Sequence, residues 1–249
     1  MSGFVEVQAI IQARMGSERL PGKILERVGD KTILEWVTRR ILAARRVGRV
    51  IIATTLSSMD DPVEQLAETE GVGCFRGSDE DVLDRFVRTL DKWPAKAVVR
   101  ATGDNPLLDT GLLDAMIEAH TKTDADHTGL DGAVPLGTAA EIVSATALKR
   151  AWEAAAEPAH REHVTTYIHS NPDDFRLERI APPDYLAGRG YRLTVDTGDD
   201  LELLRRLYEL TREAGIPFNA ETAVKLLDRH PELVEMNRHV KQRDWRDQF

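Results

Sequence analysis

One cysteine stands in 249 residues. A lone Cys74 excludes an intramolecular disulfide framework and a cysteine-based metal cluster, and points to a reducing, cytoplasmic setting. No apolar run approaches the roughly 20 residues needed to cross a bilayer. Met1 to Phe4 carries neither the basic nor the apolar region of a secretory signal, so no membrane role is expected. Positive charge is in deficit too. Against 42 Asp and Glu there are 33 Lys and Arg, leaving a net charge of −9, the wrong sign for a nucleic-acid-binding surface. Internal repeats and low-complexity tracts are also missing.

What is there is an alternation of short apolar runs and amphipathic segments. Val5 to Ile11, Val50 to Ala53, Val72 to Phe75 and Ala97 to Val99 read as buried strands. Between and after them Ile33–Ala44, a segment opening at Asp60-Asp61-Pro62, Asp79–Leu90 and Gly111–His120 read as helices. This rhythm predicts an α/β fold with a mainly parallel sheet covered on both faces. Residues 121–190 change character, with polar loops, strands at Glu141–Val143 and Phe175–Ile180, and helices at Ala145–Ala156 and His160–His169. They are expected to form an inserted acceptor-side and dimerisation region within a single domain spanning 1–249. Tyr191–Asp196 reads as a strand ending in a carboxylate, with helices at Asp199–Thr211 and Ala220–Leu227. A polar tail from about 231 to 249 carries Arg238, Lys241, Arg243 and Arg246, and reads as a solvated or dimer-contacting end.

The first apolar run leads into Gln12–Lys23, QARMGSERLPGK. A loop leaving a strand tip is where an open α/β sheet binds ligands. Here Arg14, Arg19 and Lys23 sit among Gly16, Ser17, Pro21 and Gly22, residues that let backbone N–H groups approach an anion. The stretch is not a Walker loop, because Ile24 follows Lys23, and no GxGxxG is present. An acidic chain with three cations in one loop is arranging a site for a small anion, a nucleotide rather than a polymer. Two carboxylates, Asp104 before Asn105-Pro106 and Asp196 before Thr197-Gly198, stand at expected strand ends. Either one alone is as well read as a turn or helix-cap residue; together, beside a cationic phosphate loop, they suit Mg²⁺.

Ala13-Arg14, Gly16-Ser17 and Arg19-Leu20-Pro21-Gly22-Lys23, then Gly103-Asp104-Asn105-Pro106, then Asp196-Thr197-Gly198-Asp199-Asp200-Leu201 occur in the order of three signature segments. In them the chain resembles the cytidylyltransferases that make CMP-activated sugars. The likeness runs from Val5 to about Leu207 and is nearest the branch similar to spore coat polysaccharide biosynthesis protein F. Phe75-Arg76-Gly77-Ser78, Asp81-Val82-Leu83-Asp84-Arg85-Phe86 and Arg100-Ala101-Thr102-Gly103-Asp104 have shapes typical of that branch. More distantly it is similar to the synthetases that activate 3-deoxy-manno-octulosonic acid and sialic acid.

The resemblance implies a nucleotide-diphospho-sugar transferase-like (Rossmann-like) fold and a Mg²⁺-dependent enzyme. Such an enzyme moves CMP from CTP to a sugar, sugar acid or phosphonate acceptor, in polysaccharide biosynthesis or a related pathway, and releases pyrophosphate. Arg14 and Lys23 are expected at the phosphates, helped by Gly16, Ser17 and Arg19, with Asp104 and Asp196 holding the metal. The base is expected at Ala13, Arg76, Ser78 and Thr102, and the acceptor at Arg100, Glu141, His160 and His163. His160 and His163 stand three apart on one helical face, a spacing that permits a metal site, although the motif is not HExxH and no third ligand is indicated. The Ala139-Ala140 pair before Glu141 departs from the larger residues usual in that branch, which leaves the acceptor open. Homodimers are expected from the resemblance. Two other readings stand beside this one: a UDP- or GDP-sugar pyrophosphorylase type, and a non-catalytic nucleotide-binding homologue.

Overall fold

A computed structural model describes residues 5–242. Among these residues, β1 (Val5–Gln12), β4 (Arg49–Thr55), β5 (Gly73–Gly77), β6 (Ala95–Thr102), β7 (His127–Leu130), β8 (Glu141–Ser144) and β9 (Leu177–Ile180) form one sheet in the order β5-β4-β1-β6-β8-β7-β9. A two-stranded ribbon, β2 (Arg27–Val28) and β3 (Lys31–Thr32), stands apart from it. β8 pairs antiparallel with both of its neighbours, and the other pairings in the sheet are parallel. The chain winds outward from β1 through β4 to β5, then returns to the other side of β1 with β6. That reversal opens a crevice at the carboxyl ends of β1 and β6, where such sheets take ligands.

The expected parallel β/α core is present. Alternation along β1 sends Val7, Ala9 and Ile11 into one apolar cluster and Ile10 into another. The first cluster is closed by α1 (Ile33–Leu42), α2 (Asp61–Thr69) and α4 (Thr110–Thr123) through Leu34, Val37, Ile41, Val63, Leu113 and Met116. The second is closed by α3 (Val82–Lys92) and α5 (Ala145–Ala154) through Leu83, Phe86, Leu90, Leu148 and Ala151. α1 starts at a capping box, with the Thr32 hydroxyl accepting from Glu35 N and the Glu35 carboxylate accepting from Thr32 N. A third cluster joins α8 (Gly198–Glu213) and α9 (Ala220–Arg229) to Ile33, Leu107, Leu193 and Val195, packing the Asp196 segment against α1 and the loop after β6.

Several expectations need correction. Tyr191–Asp196 is not a strand: it bends at Thr194 and Asp196, a single bridge joins Leu136 to Arg192, and Val195 N donates to the Asp104 carbonyl at 2.9 Å. The helix expected over His160–His169 is two short ones, α6 (Pro158–Glu162) and α7 (Thr166–Ser170). His163 closes the first at φ −105°, ψ 72°, outside helical geometry, so His160 and His163 share no helical face. Within residues 121–190, the expected acceptor-side and dimerisation region, β7, β8 and β9 join the same sheet, which leaves that expectation as it stood. Its neighbour after α9 is a further short helix, α10 (Pro231–Glu235). Of the tail cations, Arg238 pairs with Glu235 at 2.7 Å; Arg243 and Arg246 lie outside the described residues.

Candidate active site

The loop after β1 is shaped by its own backbone. Ser17 N and Gly22 N both donate to the Met15 carbonyl, at 2.9 and 3.0 Å, and Gly22 sits at φ +73°, a left-handed turn glycine tolerates best. Asp60 fixes the loop from outside. Its carboxylate accepts from Met15 N at 2.7 Å and from the Thr54 hydroxyl and Thr55 N at 2.9 and 3.1 Å. Burial alone would raise its pKa, but these hydrogen bonds outweigh burial and hold it below the carboxylate range. Across the crevice the tip of β6 comes very close. Gly103 N donates to the Gln12 carbonyl at 2.9 Å, and a Cβ at Gly103 would lie 3.0 Å from Ala13 Cβ.

At the floor three chain-distant segments meet. Lys23 Nζ donates to Asp104 Oδ2 at 2.7 Å, to Asp196 Oδ1 at 2.8 Å and to the Val195 carbonyl at 2.7 Å. Burial opposes the charged ammonium, yet the two carboxylates prevail and raise its pKa above the ordinary value. Asp196 is held low for the complementary reason: burial would raise it, and Lys23, Arg19 and Arg192 more than offset that. Arg19 NH2 reaches Asp196 Oδ2 at 2.9 Å, and Arg192 pairs with the same carboxylate. Arg192 is itself placed by the buried Asp200, at 2.8 Å. For Mg²⁺ the donor set fits, being hard carboxylate oxygens converging beside a cationic loop.

The cleft above this floor encloses about 490 Å³ and is lined by Ala13, Arg14, Gly16, Ser17, Arg19, Lys23, Thr102, Asp104, His163 and Asp196, together with Arg85 and Glu162. Arg14 spans its mouth to Asp79, 2.7 Å away. A Cβ on Gly16 would meet no atom within 4 Å, so the space before it is open to a ligand. Arg85 was not expected here. It is buried on α3, donates to the Ser78 carbonyl at 2.9 Å, and has its pKa lowered to about 10 by burial and then by Arg14. An arginine on an otherwise apolar helix face was the signal for it.

Two base-site expectations are not met by geometry. Arg76 lies outside the cleft lining because Asp61 and Glu64 take its guanidinium at 2.7 and 2.9 Å, with the Thr55 carbonyl accepting from Nε. The Ser78 hydroxyl accepts from Asp81 N at the entry to α3, a turn role. The Ala13 N–H is also spoken for, by the Ala53 carbonyl at 3.1 Å.

A second cavity, of about 360 Å³, adjoins the cleft through Thr102 and is lined by Arg100, His127, Glu141, His169 and Arg179 among others. Here Arg100 and Glu141 pair at 2.8 Å. His160 does not line it; its ring packs edge-on against Tyr167. Glu141 accepts from His127 Nε2, His169 Nε2, Arg100 and the Thr165 hydroxyl, at 2.8 to 3.1 Å. Burial would raise its pKa, but these donors and the Arg100 charge hold it well below the usual value.

A family model for cytidylyltransferases matches residues 8–223. The chain belongs to the cytidylyltransferase family. It is accordingly a nucleotidyltransferase, an enzyme. It is 37% identical to spore coat polysaccharide biosynthesis protein SpsF of Bacillus subtilis, over 91% of this chain and 96% of that protein. An uncharacterised protein of Methanocaldococcus jannaschii is 36% identical over 98% of this chain and 99% of its own length. A cytidylyltransferase structure from Leptospira borgpetersenii superposes with a TM-score of 0.85 at 28% identity, covering 96% of this chain and all of that one. A CMP-2-keto-3-deoxy-manno-octonic acid synthetase, solved with CTP, shares the fold at a TM-score of 0.64 and 20% identity over 84% of this chain and 99% of its own. No helix among the described residues is long and apolar enough to cross a membrane.

Proposed function

We propose that this cytidylyltransferase moves CMP from CTP to a small sugar or anionic acceptor, with Mg²⁺, and releases pyrophosphate. The observation that carries the reading is the meeting of Arg14, Arg19 and Lys23 with Asp104 and Asp196 in one cleft, at the sheet edge where a nucleotide is expected. An acceptor oxygen attacks the α-phosphorus, a new P–O bond forms, and the bond to the bridging oxygen breaks with its electron pair leaving on pyrophosphate. Such transfer needs in-line positioning and neutralised phosphoryl charge more than covalent help. Arg14, Arg19 and Lys23 supply that charge, and Gly16 and Ser17 leave room for the phosphates. Asp104 and Asp196 would hold Mg²⁺, which when bound orients the phosphate and acts as a Lewis acid.

Ala13 and Thr102 flank the place for the nucleoside, with the buried Arg85 beneath it. The cavity holding Arg100 and Glu141 adjoins at Thr102 and takes the acceptor, with His163 on the cleft side. The test is pyrophosphate release with Mg²⁺, each nucleoside triphosphate in turn, and a panel of sugars, sugar acids and phosphonates. Release with CTP alone is expected; release with UTP or GTP instead, or stabilisation by CTP with no turnover on any acceptor, refutes the reading. Asp104→Asn is expected to cut turnover at least 100-fold with the far-ultraviolet circular dichroism unchanged.

A further inference from the structure

His127 on β7, Glu141 at the start of β8 and His169 on α7 come from separate elements and converge on one wall of the smaller cavity. His127 Nε2 and His169 Nε2 lie 3.1 and 3.0 Å from the same oxygen, Glu141 Oε1, and all three donor atoms fall within 4.8 Å of one another. Metal–ligand bonds of about 2.0–2.2 Å put neighbouring donors roughly 3 Å apart, the spacing that both imidazole nitrogens already keep from Glu141 Oε1. Two imidazoles and a carboxylate suit a transition ion of the zinc type; Mg²⁺ takes oxygen ligands.

The support around the donors matches that role. Glu141 Oε2 is held by Arg100 NH1 at 2.8 Å and the Thr165 hydroxyl at 3.0 Å, the outer contacts that fix a ligating carboxylate. The two rings lock each other edge to face, 4.5 Å between centroids at 79°. Three protein ligands facing a cavity leave positions open, as catalytic rather than structural zinc sites do.

We propose that His127, Glu141 and His169 bind one divalent transition-metal ion, distinct from the Asp104–Asp196 site, with open coordination positions in the smaller cavity. Arg100 and Arg179 line the same cavity against Glu141 and Glu178. A bound ion therefore leaves net positive charge there, and an anionic oxygen completes the shell. The site stands independently of CMP transfer, so loss of either reading leaves the other intact.

The test is calorimetric titration of chelator-treated, full-length protein with zinc chloride in excess Mg²⁺, repeated with Co²⁺ as a visible-absorption probe. One ion per chain is expected, retained in the Asp104→Asn/Asp196→Asn double variant. His169→Ala and Glu141→Gln are expected to weaken it at least tenfold and to abolish the Co²⁺ spectrum. His169 is partly exposed, so its replacement is expected to leave the fold intact; His127→Gln, at a buried position, is compared only if its thermal unfolding matches wild type. No bound ion in the wild type, or an ion lost with the two aspartates but kept in His169→Ala, overturns the proposal and leaves the cluster a hydrogen-bond network.

Discussion

Replacing Lys23 with methionine keeps the length of the side chain and removes the one ammonium that touches both Asp104 and Asp196. Breaking a buried ion pair on one side typically costs about 3–5 kcal/mol. Here the carboxylates are 23% and 13% exposed, and Arg19 and Arg192 still face Asp196, so about 2 kcal/mol is the better expectation. In a chain of this size that lowers Tm by roughly 4–8 °C at pH 7. The pH dependence has a definite sign. The pKa of Asp196 is depressed in the folded protein, so its contribution is present above the unfolded carboxylate pKa and is lost as pH falls through the lower, folded value. Lys23→Met lessens that depression, so its deficit is full at neutral pH and shrinks on acidification below about pH 4. Mg²⁺ is expected to raise the Tm of Lys23→Met more than that of wild type, because the two carboxylates lose their internal counter-ion. Thermal unfolding by circular dichroism at pH 7 and at about pH 3, with and without Mg²⁺, checks all three. Equal Tm values at pH 7, or a deficit that grows on acidification, would refute the clamp as described.

Two further outcomes follow from local geometry. Gly137 lies at φ +93°, and a Cβ there would sit 2.7 Å from Thr194 N; Gly137→Ala is expected to destabilise by about 2–3 kcal/mol in denaturant titration, more than Gly71→Ala, where nothing lies within 4 Å. Burial pushes the Cys74 thiol up to about 11, so iodoacetamide at pH 7.5 should leave the native protein unmodified and label it once urea unfolds it.

That the Gln12–Lys23 loop and both aspartates share one cleft was legible in the sequence, because each belongs to a contiguous segment whose order along the chain is itself informative. The helices closing the two faces of the sheet were legible from apolar spacing, Leu34-Val37-Ile41 being the plainest case. Pairing was less so. Tyr191–Asp196 has the alternation of a strand, but its backbone bridges only Leu136 and otherwise bonds to groups such as the Asp104 carbonyl and Lys23 Nζ, contacts no local pattern encodes. Arg76 looked available until α2 set Asp61 and Glu64 beside it, one helical turn apart. His127 and His169 carried no signal at all, since β7 and α7 bring them to Glu141 only through tertiary packing. Arg85 was concealed by the apolar residues around it, which read as core.

β8 runs against the rest of its sheet, and so delivers its first residue, Glu141, to the rim where the other strands deliver their last. The segment entering that rim position, residues 131–140, is tethered by strands on the far side of β6 from β1 and β4. Under the proposed function, lengthening or rewriting it is expected to change acceptor choice and to leave the Arg14–Arg19–Lys23 cleft as it is. Swapping residues 127–144 between relatives is thus a direct route to exchanging acceptor preference.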